Sequence, residues 1–143
     1  MRWILLSMLV LAIAAGCKKD KEPVRYFEVG MRLNGGADDW RDTAFVVATS
    51  NQQVLNAVDA ELAKPIADRK KLVSGKLKKG SGGYNKNAGF TFNWHLEDWT
   101  LTDLTIELID GRPYSDVELH NSYWMDTVKS FGSWGSYIKK EIK

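Results

Sequence analysis

The chain has 143 residues, 44% of them hydrophobic, and its 20 Lys and Arg nearly balance 18 Asp and Glu, for a formal charge of +2. That balance provides no electrostatic footprint for nucleic acid and no broadly basic face for anionic lipid, so both are excluded as general partners. Cys17 is the only cysteine, which rules out an internal disulfide and leaves the fold resting on its apolar core.

Arg2 followed by the apolar run Trp3–Ala15, interrupted only by Ser7, has the form of an export signal and is too short for a permanent membrane helix, which needs ~20 residues. Two readings of its end are open. Ala14-Ala15-Gly16-Cys17 resembles the lipobox of bacterial lipoproteins, in which the cut falls before a cysteine that carries a thioether-linked lipid with palmitate-type chains. Ala14 stands where leucine is commoner. Ala12-Ile13-Ala14 also satisfies the A-x-A rule and would release an unanchored protein. The lone cysteine favours lipidation, since an exported chain would otherwise begin with an exposed, oxidisable thiol.

Residues 1–16 are thus expected to be a lipoprotein signal peptide, and residues 17–25 the lipidated Cys17 with a charged tether, Lys18–Pro23 (KKDKEP). Residues 26–143 are expected to form a single domain. The expected address is a bacterial cell envelope, with the protein lipid-anchored to a membrane, the outer one in a Gram-negative cell. Cleavage leaves about 127 residues, enough for one domain with a core.

Within the domain, Phe27, Val29, Met31 and Leu33 alternate with polar residues, predicting a first strand over 26–34. Gly35–Asp39 is turn chemistry, and 40–48 reads as a second strand. Ser50 and Gln53 have capping-box spacing ahead of a helix over 51–64, which carries Val54, Leu55, Val58 and Leu62 on one face and ends at Pro65. A third strand is predicted over 72–78. Lys79–Gly89 (KGSGGYNKNAG) is a glycine-rich loop centred on Tyr84 and Asn85.

The alternations Phe90–Leu96 and Leu104–Leu108, separated by Glu97-Asp98, predict a central antiparallel pair closed by Asp110-Gly111. Pro113 suits the first turn of a short helix over 114–121, and 134–142 reads as an edge strand with Lys139 and Lys140 deterring aggregation. The expected fold is α+β, an antiparallel sheet of about five strands with one main helix packed across it.

From Phe45 to Ile142 the order of features resembles the N-terminal domain of an amoebal calmodulin-binding protein, a domain type also found in bacterial proteins. The residues that carry it are Val73-Ser74-Gly75-Lys76, Tyr84-Asn85, Phe92–Leu96, Ile106–Gly111, Pro113 and Trp134. The resemblance implies a cysteine in relatives at the position of Ile109 and another near Gly132, and this sequence has neither. It implies no catalytic residues. Calmodulin is not an expected partner, because a bacterial envelope protein does not meet it.

Constellations that could carry chemistry are sparse. Arg69-Lys70-Lys71 with Lys76, Lys78 and Lys79 reads as a solvated face, and Gly80–Gly83 lacks the ending of a phosphate loop. His95, Glu107, Asp110 and His120 are the candidates for a metal or acid–base site, but the strand spacing keeps His95 and Glu107 apart. Glu97-Asp98 as paired carboxylates would point in different directions. No metal or other cofactor is expected.

Trp99, Trp124 and Trp134 fall near loops or ends, where an exposed indole could stack on sugar or anchor a protein. The expected function is a non-catalytic binding or protein-interaction module of the envelope, with Tyr84, Asn85, Trp99, Trp124 and Trp134 as candidate binding residues. The alternatives are a glycan-binding module using exposed tryptophans and a periplasmic or surface hydrolase.

Overall fold

The computed structural model describes residues 22–143. The expected signal peptide and Cys17 lie outside the described residues. The first strand forms as its alternation predicts, β1 (Arg25–Met31). The second, β2 (Ala44–Thr49), starts later than expected, because the Asp39 carboxylate accepts from the Arg41 N–H and turns Trp40–Asp42 into a short 3-10 helix.

β1 is the middle strand of a three-stranded antiparallel sheet. On one side Phe27 and Val29 lie opposite Val47 and Phe45 of β2, and on the other Val29 lies opposite Ile138 of β8 (Ser136–Ile142). All five of these side chains are fully buried. β8 is an edge strand with Lys139 and Lys140 exposed, as predicted.

Asn51, not Ser50, caps α1 (Gln52–Leu62). Its Oδ1 accepts from the N–H groups of Gln53 and Val54 at 3.0 and 3.2 Å, which satisfies donors that the first helical turn leaves free. Val54, Leu55 and Val58 face the core. Glu61 is buried beside them and is held at 2.7 Å from the Lys64 ammonium.

A single five-stranded sheet does not form. A second three-stranded sheet has β3 (Leu72–Lys79) between β6 (Trp94–Thr102) and β7 (Ser130–Phe131), and a two-stranded ribbon pairs β4 (Lys86–Asn87) with β5 (Phe90–Thr91). The predicted central hairpin is also absent. Glu97-Asp98 does not reverse the chain; it is a bulge inside β6, with Asp98 at φ 48° and the register against β3 shifting between Ser74 and Lys76.

The bulge switches the parity of the strand. Phe92, Trp94 and Leu96 are buried, and so, three residues further on, is Trp99. With β3 already paired along β6, the segment after Thr102 leaves the sheet. Leu104 and Ile106, read as an inward face, are 61% and 94% exposed.

Side chains stitch the two sheets together. The Trp99 Nε1–H donates to the Ala48 carbonyl at 2.7 Å, and Ser136 Oγ accepts from the Val73 N–H at 3.0 Å. Arg69, which the sequence places in a basic face, is buried and donates to the carbonyls of Leu62, Lys64, Ile138 and Lys139. Phe45, Trp94 and Phe131 bring rings from both sheets to centroid distances of 5.4–5.6 Å, the spacing of favourable tilted and edge-to-face pairs.

The predicted short helix appears as wide π-type turns over Pro113–Glu118 and Trp124–Val128, joined by one α-turn, α2 (Asn121–Tyr123). Pro113 begins the first of them. There the backbone N–H of Val117 donates to Arg112 O, five residues back. Val117, Trp124 and Met125 close the core on this side.

Candidate functional site

A cleft of about 550 Å³ opens where β1 ends, between Arg32–Asn34, Asp110–Arg112 with Asp116, and Ser133–Gly135, with Leu104 at its edge. The walls are held by specific contacts. Arg32 N donates to the Gly135 carbonyl at 2.7 Å, an approach that requires glycine, because a Cβ at 135 would run into the Arg32 carbonyl oxygen. The Arg32 guanidinium lies 4.1 Å over the Tyr137 ring and donates to the carbonyls of Ile66 and Arg69 at 2.6 and 3.0 Å.

Across the cleft, Asp110 Oδ1 accepts from the Trp134 N–H at 3.0 Å and from Ser133 Oγ at 3.4 Å, while the Trp134 indole N–H donates to Leu108 O at 3.2 Å. These bonds tie two loops to each other and fix the edge of the indole, leaving the residue 45% exposed. Gly111 allows the buried Trp124 ring to pack beneath; a Cβ there would stand 2.6 Å from that ring.

The third wall depends on Asp42. This fully buried carboxylate accepts from the N–H groups of Tyr114 and Ser115 at 2.8 and 2.9 Å and from the Ser115 hydroxyl, so it caps from a distance the turn that Pro113 begins. Asp116 Oδ2 accepts from Arg112 N at 2.6 Å. The Arg112 guanidinium reaches no closer than 3.7 Å to the exposed Asp38 and remains available to the cleft. Two guanidinium groups and two carboxylates therefore line one concavity, with compensating charge.

Of the residues singled out from sequence, Asp110 and Trp134 line this cleft. Trp99 and Trp124 are only 3% and 6% exposed, which removes them as contact surfaces; the first is turned inward by the Asp98 bulge and the second is covered by Gly111. Asn85 is fully buried, its Oδ1 accepting from Val46 N at 2.9 Å and its Nδ2 donating to Trp94 O at 2.8 Å. It joins β2 to β6.

Tyr84 is half-buried against Tyr26 and His95, and that burial, with Glu97 nearby, pushes its phenol above the ordinary value. His95 binds the Gly80 carbonyl at 2.7 Å and approaches Glu97 at 3.3 Å, far in the chain from Glu107 and His120. Among the described residues no group of three His, Cys, Asp or Glu is arranged to hold a metal. Trp40, 54% exposed, belongs to a separate, open surface with Arg41 and Phe90.

Sequence reading passed over Arg32, Asn34, Arg112 and Asp116. Arg32 looked like the polar beat of a strand, and Arg112 and Asp116 like parts of a turn and a helix. The four-residue spacing from Arg112 to Asp116 was the one local signal of a capping carboxylate there.

Taken together, the chain is a small antiparallel α+β domain with two stitched sheets and a polar cleft at one end of its central strand. The family model of the calmodulin-binding-protein N-terminal domain matches residues 25–143, and the chain belongs to that family, the one its sequence resembles. Comparison with curated proteins and with solved structures finds no match.

Proposed function

We propose that the chain is a bacterial envelope lipoprotein, held to a membrane through lipid on Cys17, whose domain is a non-catalytic binding or interaction module taking its partner in the cleft around Trp134. The observation that supports the cleft is its preorganisation. Asp110, Trp134 and Asp116 each use one polar atom to lock a loop and keep another face toward the opening, so little side-chain freedom remains to be lost on binding.

A hydrolase reading asked for two or more of His95, Glu107, Asp110 and His120 in one cleft, and Asp110 alone lies in this one. No helix among the described residues is long and apolar enough to cross a membrane, so the proposed attachment rests on the lipid.

The anchor is tested by Cys17→Ser, which is expected to move the protein from the membrane to the soluble fraction or to leave an uncut precursor. An unmodified mature chain beginning at Ala15 would overturn it. The cleft is tested by Trp134→Ala: recovery of bound partner, protein or saccharide, from solubilised envelopes should fall while the melting midpoint holds. Undiminished recovery would move the site elsewhere.

A further inference from the structure

We infer that the cleft takes an uncharged pyranoside, a short stretch of neutral glycan, an assignment that rests on reading this cleft as the binding site. Three features of the cleft select that chemistry. The first is the indole. With its Nε1–H held by the Leu108 carbonyl at 3.2 Å and its backbone N–H held by Asp110 at 3.0 Å, Trp134 cannot swing away, and it offers a fixed apolar surface inside a polar opening. A pyranose ring has a matching face of C–H groups, with hydroxyls around its rim.

The second feature is the set of polar groups around that indole. Asp110 and Asp116 each spend one carboxylate oxygen on a loop N–H, which leaves the other oxygen to accept. Asn34 presents an exposed amide that both donates and accepts, and Arg112 presents a planar fork of donors. Vicinal hydroxyls donate and accept at once, so planar groups of both kinds beside one aromatic ring complement them.

The third feature is charge. Arg32 and Arg112 are offset by Asp110 and Asp116, and Arg32 is already committed to the carbonyls of Ile66 and Arg69. A phosphate or carboxylate ligand would find one uncommitted guanidinium against two carboxylates, and a cation would meet Arg112. An uncharged polyol meets neither conflict. The volume, about 550 Å³, falls in the range of small-ligand sites and exceeds what one ring needs. A protein partner is less well matched, since protein hot spots gather several aromatic and apolar anchors and this cleft supplies one indole.

The test uses the full chain in detergent, titrated with maltose, cellobiose, mannobiose, N,N′-diacetylchitobiose and their longer homologues, with polygalacturonate as the charged control. Tryptophan emission and calorimetry are the readouts. At least one neutral series should bind saturably below about 10 mM, more tightly than the charged control, and Trp134→Ala should weaken it at least tenfold, about 1.4 kcal/mol. Asn34→Ala, an exposed change, should weaken it several-fold with an unaltered melting midpoint.

Absence of saturable neutral binding, preference for the charged series, or indifference to both substitutions would overturn the glycan assignment. If neutral saccharides fail but an envelope protein is retained in a Trp134-dependent way, the glycan assignment falls and the binding module stands. If neither is retained, the cleft is not a binding site and both fall. If a saccharide is bound and cut, with new reducing ends appearing, the glycan assignment stands and the non-catalytic reading falls.

Discussion

Replacing Asn85 by Ala should unbalance the joint between the two sheets. The side chain is fully buried and satisfies two backbone groups in different sheets, the Val46 N–H at 2.9 Å and the Trp94 carbonyl at 2.8 Å. Alanine leaves both without a partner in a space where water has little access. An unsatisfied buried donor or acceptor costs about 1–3 kcal/mol, so the pair amounts to roughly 2–6 kcal/mol against a total of about 5–15 kcal/mol for a domain. Urea melts followed by tryptophan emission and by far-ultraviolet circular dichroism should show the midpoint fall with the slope unchanged. The same reasoning separates Asn85 from its neighbour: Tyr84→Phe removes only a long 3.4 Å contact to Leu96 O and should cost under about 1 kcal/mol. A loss below about 1 kcal/mol for Asn85→Ala, or equal losses for the two variants, would refute the idea that the amide joins the sheets.

Two further outcomes follow from local geometry. A Cβ on Gly75 would stand 2.6 Å from Trp99 Cβ and 2.8 Å from Trp99 Cα, so Gly75→Ala should destabilise by about 1–3 kcal/mol in thermal melts, and a variant melting with the wild type would show that the bulge opposite it is not tightly packed. Arg25 donates to both Asp59 and Glu141 and, chiefly through those hydrogen bonds, holds both carboxyls below the ordinary range, while Arg41 holds Asp39 at about 2. Because the folded-state values are depressed, each contribution is present above the ordinary carboxylate range and is lost as pH falls through the folded value. Carboxyl titrations by NMR should show Arg25→Gln returning Asp59 and Glu141 to the ordinary range with Asp39 unmoved; unchanged Asp59 and Glu141 would mean that the pairing is not maintained in solution.

Periodicity made β1, α1, β3 and β8 legible, since each buries one face and its spacing reports that face. It failed between Phe90 and Leu108 for a definable reason. Alternation records which way side chains point and says nothing about whether the backbone reverses. Glu97-Asp98 interrupts the alternation equally well as a turn or as a bulge, and a bulge is what Gly75 accommodates on the neighbouring strand.

Which tryptophans reach solvent was not legible, because exposure is a tertiary property. Trp124 is covered by Gly111, thirteen residues away, and nothing near either residue announces the pairing. The cleft was half legible: Asp110 and Trp134 drew attention, whereas Arg32 and Asp116 join them only once β1 and the turn begun by Pro113 are brought to the same end of the fold.

β1 has the incoming chain at one end and the cleft at the other. Residues before Arg25 lead into the strand, and Arg32, at the cleft, follows directly after its last residue, so the two ends lie about 20 Å apart along a single extended segment. Tension between the incoming chain and a captured ligand would run along β1, parallel to the strand and perpendicular to the hydrogen bonds that join it to β2 and β8. Both ladders would be loaded in shear, with many bonds sharing the force, where a peeling load would break them one after another. The strand that centres the sheet is thus placed to serve as a tendon between membrane and ligand.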